Sequence, residues 1–223
     1  MLLSGGLDST VTLAKAQSQG YRCYALTVDY GQRQIIEIES ARRVATALQA
    51  EDHVVCTINM ASFTVSALTR NIPVPKNRSF QEIGKDIPVT YVPARNAIFL
   101  SLATSWAESL GCSDVFIGVN SQDHSGYPDC RVEFIDAFEA MVRVGTKTGT
   151  TTGSFKIHAP LATLGKAAIV KLGVALGVDF ALTHTCYDPL PGGVACGKCD
   201  ACLLRLRGFA DAGLTDPVRY QDL

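Results

Sequence analysis

The chain has 223 residues, 47% of them hydrophobic and 18% charged, with 20 basic and 21 acidic side chains and a formal net charge of −1. That is enough chain and apolar surface for one substantial core, and the near-neutral balance without a polybasic run argues against a dedicated nucleic-acid surface. No uninterrupted apolar stretch reaches the roughly 18 residues of a membrane span and the N-terminus lacks a charged-then-apolar signal pattern, so a soluble cytoplasmic protein with no membrane association is expected.

Residues 1–3 are apolar but short for a central strand, as if the strand were clipped. Behind them runs Leu3-Ser4-Gly5-Gly6-Leu7-Asp8-Ser9-Thr10. Paired glycines allow a tight turn whose N–H groups approach an anion, and a following helix aims its positive end at the same spot. A strand, a small-residue loop and a helix N-terminus make a phosphate cradle; a Gly-Gly turn with an Asp/Ser cap is the plain alternative. Neither the G-x-x-x-x-G-K-[ST] nor the G-x-G-x-x-G spacing is present.

Helical periodicity covers residues 11–19, ended by Gly20. Residues 23–29 form an apolar run of strand character. Thr27-Val28-Asp29-Tyr30-Gly31-Gln32-Arg33 then opens a second helix, 34–48, with Ile35, Ile38, Ala41, Val44, Ala45 and Leu48 on one face. Gln32 and Arg33 suit phosphate or ribose contacts, or simply a surface turn. Strands are expected at 53–58, 114–119 and 156–158, and helices at 94–110, 133–144 and 165–176. This alternation implies βαβ units and a parallel sheet with ligands at the strands' carboxyl ends. Two stretches interrupt it: 70–91, with three prolines, and the polar 145–154 (GTKTGTTTGS), expected to be a lid, a substrate wall or disordered.

Arg95 and Asn96 fall in the first turn of the 94–110 helix. An arginine there opposes the dipole, which makes sense if a phosphate or carboxylate sits beside it. The run 118–131 is dense in acids, amides and hydroxyls: Tyr127 can stack on a planar heterocycle, and Asp123 and Asp129 can bind a purine-like N–H edge or a metal.

Eight cysteines are present. Cys23, Cys56, Cys112 and Cys130 are scattered, as buried free thiols would be. Cys186, Cys196, Cys199 and Cys202 crowd together as C-x9-C-x2-C-x2-C, which reads as metal binding in a chain without secretion signals. Four sulfurs with no open position describe a structural zinc site; C-x2-C-x2-C also resembles iron–sulfur runs.

The run S-G-G-x-D-S resembles the PP-loop of the ATP pyrophosphatase superfamily, whose members split ATP at the α-phosphate to adenylate an oxygen. The ordered set SGGLDST, DYGQR, YVPARN, GYPDCR and TCYDP…CGKCDAC, spanning residues 3 to about 207, resembles the 7-cyano-7-deazaguanine synthase family of queuosine biosynthesis. The resemblance implies an α/β fold: a Rossmann-like parallel sheet with helices on both faces, of the adenine nucleotide alpha hydrolase type, over residues 1–182. A zinc-binding helical segment, 183–223, would pack on it. It implies a ligase that converts 7-carboxy-7-deazaguanine and ammonia, with ATP and Mg²⁺, to the nitrile through adenylated carboxylate and amide. One structural zinc per chain and a homodimer are also implied.

Carried onto this sequence, ATP would be held by Leu3, Ser4, Gly5, Gly6, Leu7, Asp8, Ser9, Thr10, Val11, Thr12 and Leu13. Asp8, Ser9, Arg95 and Lys166 would serve catalysis, the last by neutralising charge on the phosphates. Gln32, Arg33, Asn96, Asp123, Tyr127, Asp129 and Arg131 would meet the substrate, and the four clustered cysteines the metal. Gln34 stands where the family often carries histidine, so that histidine's role does not transfer. No glutaminase domain is recognisable, which makes free ammonia the expected nitrogen source. A tRNA-modifying thiolase of the same superfamily shares the first motif but would need an RNA-binding extension. A zinc-ribbon nucleic-acid module sits poorly with the charge balance.

Overall fold

The computed structural model describes residues 1–33, 35–123 and 126–221. Gln34, and His124 and Ser125 of the polar run, lie outside the described residues.

Two short parallel ladders carry the sheet. β1 (Tyr24–Asp29) pairs with β2 (Asp52–Thr57), and β3 (Asp114–Phe116) pairs with β4 (Lys156–His158). Residues 1–3 join them. The Leu26 N–H donates to the Met1 carbonyl at 2.8 Å, the Leu3 N–H to Leu26 at 2.8 Å, and the Leu2 N–H to Phe116 at 3.0 Å. Three residues therefore serve as the middle strand, in the order β2, β1, N-terminal segment, β3, β4. The crossovers reverse direction between the N-terminal segment and β3, the place where open α/β sheets bind ligands.

Period-two alternation sorts the sheet's faces. Leu26, Val28, Val115 and Ile117 pack under α3 (Arg95–Ser109) and α4 (Val132–Gly145) through Leu100, Ala103, Ile135 and Phe138. Leu3, Ala25 and Phe116 face the other way, against α1 (Leu7–Ser18) and α2 (Ile36–Ala47). α6 (Lys166–Ala175) and α7 (Asp200–Asp211) complete that layer by packing Ile169, Val170 and Phe209 on Leu7 and Val11 of α1. Each fully buried side chain of this size contributes about 1.5–3 kcal/mol.

Several sequence expectations need correction. α1 begins at Leu7 rather than at residue 11. Its first turn is polar and carries no apolar repeat, while the Thr10 and Thr12 hydroxyls donate back to the Gly6 and Asp8 carbonyls at 2.8 and 2.9 Å. Ile35, expected on the buried face of the second helix, is exposed, because that helix starts after it. The third strand stops at Phe116. The polar 145–154 stretch is neither lid nor open loop: Lys147–Thr152 is a short helix, α5. Thr146 caps it by accepting the Gly149 N–H at 3.0 Å, and Thr150, Thr151 and Thr152 satisfy carbonyls four residues back. The proline-rich stretch stays irregular, and its Lys76 bridges antiparallel to Cys199.

Candidate active site and metal centre

The first turn of α1 forms the floor of a cleft at the crossover reversal. Gly6 is the N-cap and no side chain caps the helix, so its leading amides face the cleft without a side-chain acceptor. The Ser9 hydroxyl accepts the Ser4 N–H at 3.1 Å and lies 3.0 Å from the Ser4 hydroxyl, which accepts the Gly6 N–H at 3.3 Å. Gly5 has φ +77°, and a Cβ there would stand 2.5 Å from the Ala41 nitrogen and the Glu37 carbonyl of α2. Only glycine fits between loop and helix. From β3's side, a Cβ at Gly118 would lie 3.0 Å from the Ser9 backbone, so the two strands' exits touch at the crossover reversal.

Charge is concentrated around this floor. Lys166, first residue of α6, places its Nζ 2.9 and 2.8 Å from the two Asp8 carboxylate oxygens. Burial works to strip its proton, but Asp8 and Asp123 outweigh that and hold its pKa above the ordinary value. The Asp123 carboxyl is pushed up to about 6 by burial, with Lys166 pulling it down and Asp8 adding to the rise. One of its oxygens accepts the Asn120 amide at 2.7 Å. The Tyr127 hydroxyl pairs with Thr90 at 2.9 Å and lies 3.5 Å from that of Tyr187. His184 is buried, and burial first of all holds its pKa down to about 4. Its neutral ring leaves Nε2 without a hydrogen-bond partner among the described residues. Such an orphan costs about 1–3 kcal/mol, which a bound polar group would remove.

Sequence-derived candidates divide by place. Leu3, Ser4, Gly6, Leu7, Asp8, Ser9, Gln32, Arg95, Asn96, Asp123, Tyr127 and Lys166 all line the cleft. Gly5 faces α2 instead, and Thr10, Val11, Thr12 and Leu13 point along α1 into the interior. Arg33 is exposed and donates to the Ile72 carbonyl at 3.2 Å, and Arg131 is exposed ahead of α4. Asp129 is buried beneath α3, where it accepts the Asn96 N–H at 2.9 Å and so caps a helix rather than lining the cleft.

The cleft lining also includes residues outside the candidate set, among them Glu37, His184, Arg205 and Thr185, the last being the first residue of the TCYDP run. Glu37 sits in the first turn of α2, where an acid reads as ordinary dipole complement. Burial pushes its carboxyl up to about 7 against the pull of Arg95. Arg205 is fully engaged: it grips Asp216 with two nitrogens at 2.7 and 2.9 Å and donates to the Thr183 and Thr185 hydroxyls and the Phe180 carbonyl.

Behind the cleft, Cys186, Cys196, Cys199 and Cys202 are buried, with their sulfurs all within 4.8 Å of one another. Four sulfurs at the Zn–S distance around one ion lie about 3.8 Å apart, and Cys196 and Cys202 already stand at 4.0 Å. Backbone amides of Asp188, Cys196, Lys198 and Cys199 point at Cys186 and Cys196 sulfurs over 3.2–3.4 Å, as thiolate ligands require. The donor set fits a single closed tetrahedral ion.

Comparison with known proteins agrees with this geometry. Residues 1–213 match the family model described as queuosine biosynthesis protein QueC. The chain is 57% identical to the 7-cyano-7-deazaguanine synthase of Kineococcus radiotolerans over 99% of this chain and 96% of the relative. It is 54% identical to that of Geobacter sp. strain M21 over 100% of this chain and 97% of the relative. Among solved structures, NMN synthetase from Francisella tularensis superposes with a TM-score of 0.50 at 20% identity, covering 96% of this chain and 76% of that one, a likeness of fold. The match across the whole α/β body and the cysteine cluster places this chain in the queuosine biosynthesis protein QueC family.

Proposed function

We propose that the chain is a 7-cyano-7-deazaguanine synthase, converting 7-carboxy-7-deazaguanine and ammonia to the nitrile with ATP. The carrying observation is the near-full-length identity to synthases of that name, and the cleft supplies what the chemistry needs. A carboxylate is a poor electrophile, so an oxygen must first attack the α-phosphorus, displacing pyrophosphate. The α1 amides and the Ser4 and Ser9 hydroxyls would bear the triphosphate, and Lys166 and Arg95 would balance charge developing on phosphorus. Tyr127, Asn96 and Gln32 would orient the planar base. Nitrogen attack gives the amide, whose oxygen is adenylated in turn before loss to the nitrile.

Mg²⁺ would accompany the triphosphate and draw off charge, with Asp8 and Asp123 as the oxygen donors at hand. Zinc would bind the four cysteines and fix the C-terminal segment against α6. Free ammonia as nitrogen source, a homodimer, a cytoplasmic setting and no nucleic-acid partner complete the reading. The test is incubation with ATP, Mg²⁺, ammonium and the acid, following the base by mass. The nitrile mass with AMP and pyrophosphate is expected; no conversion by folded, zinc-loaded protein overturns the reading.

A further inference from the structure

Ammonia has three N–H bonds and a nitrile nitrogen has none, while the nitrogen stays on one carbon throughout. Three protons must therefore leave one place in the cleft, and a proton acceptor poised near neutral pH is needed there. Among the described residues, three carboxylates line the cleft: Asp8, Glu37 and Asp123. Asp8 is clamped by Lys166 at 2.8 and 2.9 Å, and Asp123 accepts from Asn120 at 2.7 Å. Glu37 is held on a rigid helix turn whose carbonyl packs on Gly5, directly behind the phosphate floor. Arg95 and Tyr30 face it, from α3 and from the turn after β1.

We propose that Glu37 is the general base of the nitrogen steps, an assignment that rests on the synthase reading. At amide formation the ammonia lone pair makes the C–N bond, the C–O bond to AMP breaks with its electrons, and a proton passes from nitrogen to the Glu37 carboxylate. In the second round the amide oxygen attacks the α-phosphorus of another ATP, pyrophosphate leaves, and the resulting iminium nitrogen gives up its second proton to Glu37. In the last step the remaining N–H proton goes to Glu37, the third C–N bond forms, and AMP leaves with the C–O electron pair. Glu37 returns each proton to solvent between steps. Burial raises the proton affinity of this carboxyl to about 7, the range a base working near neutrality needs.

The test uses the full-length, zinc-loaded Glu37→Gln variant with the deazaguanine acid. Acid-dependent ATP–pyrophosphate exchange, which breaks no N–H bond, should stay within about threefold of the unmodified protein. Ammonium-dependent conversion should fall at least about 100-fold. Hydroxylamine, uncharged near neutral pH, should restore product as the hydroxamate, and the acid limb of the rate profile near pH 7 should vanish. Glu37→Asp should keep that limb at reduced rate. Conversion within about fivefold of the unmodified protein, or exchange lost in parallel with conversion, overturns the assignment. Absence of any acid-dependent exchange in the unmodified protein overturns the synthase reading as well, and so identifies itself.

Discussion

Lys166 and Asp8 lie 158 residues apart in sequence, yet Nζ of the first contacts both carboxylate oxygens of the second at 2.9 and 2.8 Å. The pair joins the first turns of α1 and α6, and both side chains are largely out of solvent. An ammonium at a helix N-terminus is unfavourable, and here the carboxylate across from it offsets the cost. Removing one partner strands the other. Lys166→Met should therefore destabilise the fold by about 3 kcal/mol, and Lys166→Met with Asp8→Asn by less than the two single changes added together. Urea unfolding of the two single variants and the double variant reads the coupling; strict additivity would deny it. Pyrophosphate exchange should be lost in all three.

Gly5 and Gly20 make a matched pair for the phosphate floor. Both have positive φ, +77° and +89°, but a Cβ at Gly20 meets nothing within 4 Å, whereas one at Gly5 stands 2.5 Å from two backbone atoms of α2. Gly20→Ala should cost about 1–2 kcal/mol, the strain of a left-handed alanine. Gly5→Ala adds a collision with helix backbone, so it should cost clearly more and weaken ATP binding at least tenfold. Equal losses in thermal unfolding and in nucleotide titration would mean that the loop and α2 separate freely.

Much of this arrangement could be read in the sequence because it rests on short-range patterns. The glycine pair, the alternation of strand and helix, and the C-x2-C-x2-C spacing each carry their physics within a dozen residues. What could not be read depends on tertiary approach. The threonines of 145–154 have a loop-like composition, but their hydroxyls fold back on the α5 carbonyls once Gly149 packs against Arg143. Asp129 looked like a ligand for a base because its role, capping α3 from 33 residues away, exists only in the fold. Glu37 was hidden for the opposite reason, since an acid early in a helix is common and its place in the cleft depends on Gly5.

The cysteine cluster and the phosphate floor are mechanically joined. The His184 N–H donates to the Gly5 carbonyl at 2.8 Å, two residues before Cys186, while Arg205 sits three residues after Cys202 on α7 and binds the Thr185 hydroxyl. Apparent binding energies for structural zinc run to about 10–16 kcal/mol, so metal loss would free this whole arm. Cys199→Ser should lower the zinc content from one ion per chain, expose residues 183–221 to protease, and weaken ATP binding even though no cysteine of the cluster lines the cleft. Native mass spectrometry and nucleotide titration check it; unchanged nucleotide affinity in a zinc-free protein would show the two regions to be independent.

Glu37 also gives the fold a pH signature. Its carboxyl titrates at about 7 in the folded chain, against an ordinary value of 4.5. Between those values the folded state binds the proton and the unfolded state does not, so stability falls as pH rises from 4.5 through about 7. Above that window the charged carboxylate costs about 3 kcal/mol, since each tenfold change in proton affinity corresponds to about 1.4 kcal/mol. Glu37→Gln keeps the shape and removes the charge. The variant's advantage over the unmodified protein should grow by about 2–3 kcal/mol between pH 5 and pH 8, with zinc held saturating. Urea midpoints at the two pH values measure the difference. A constant offset between variant and parent would show that Glu37 stays ionised throughout, and would remove the poised base from the cleft.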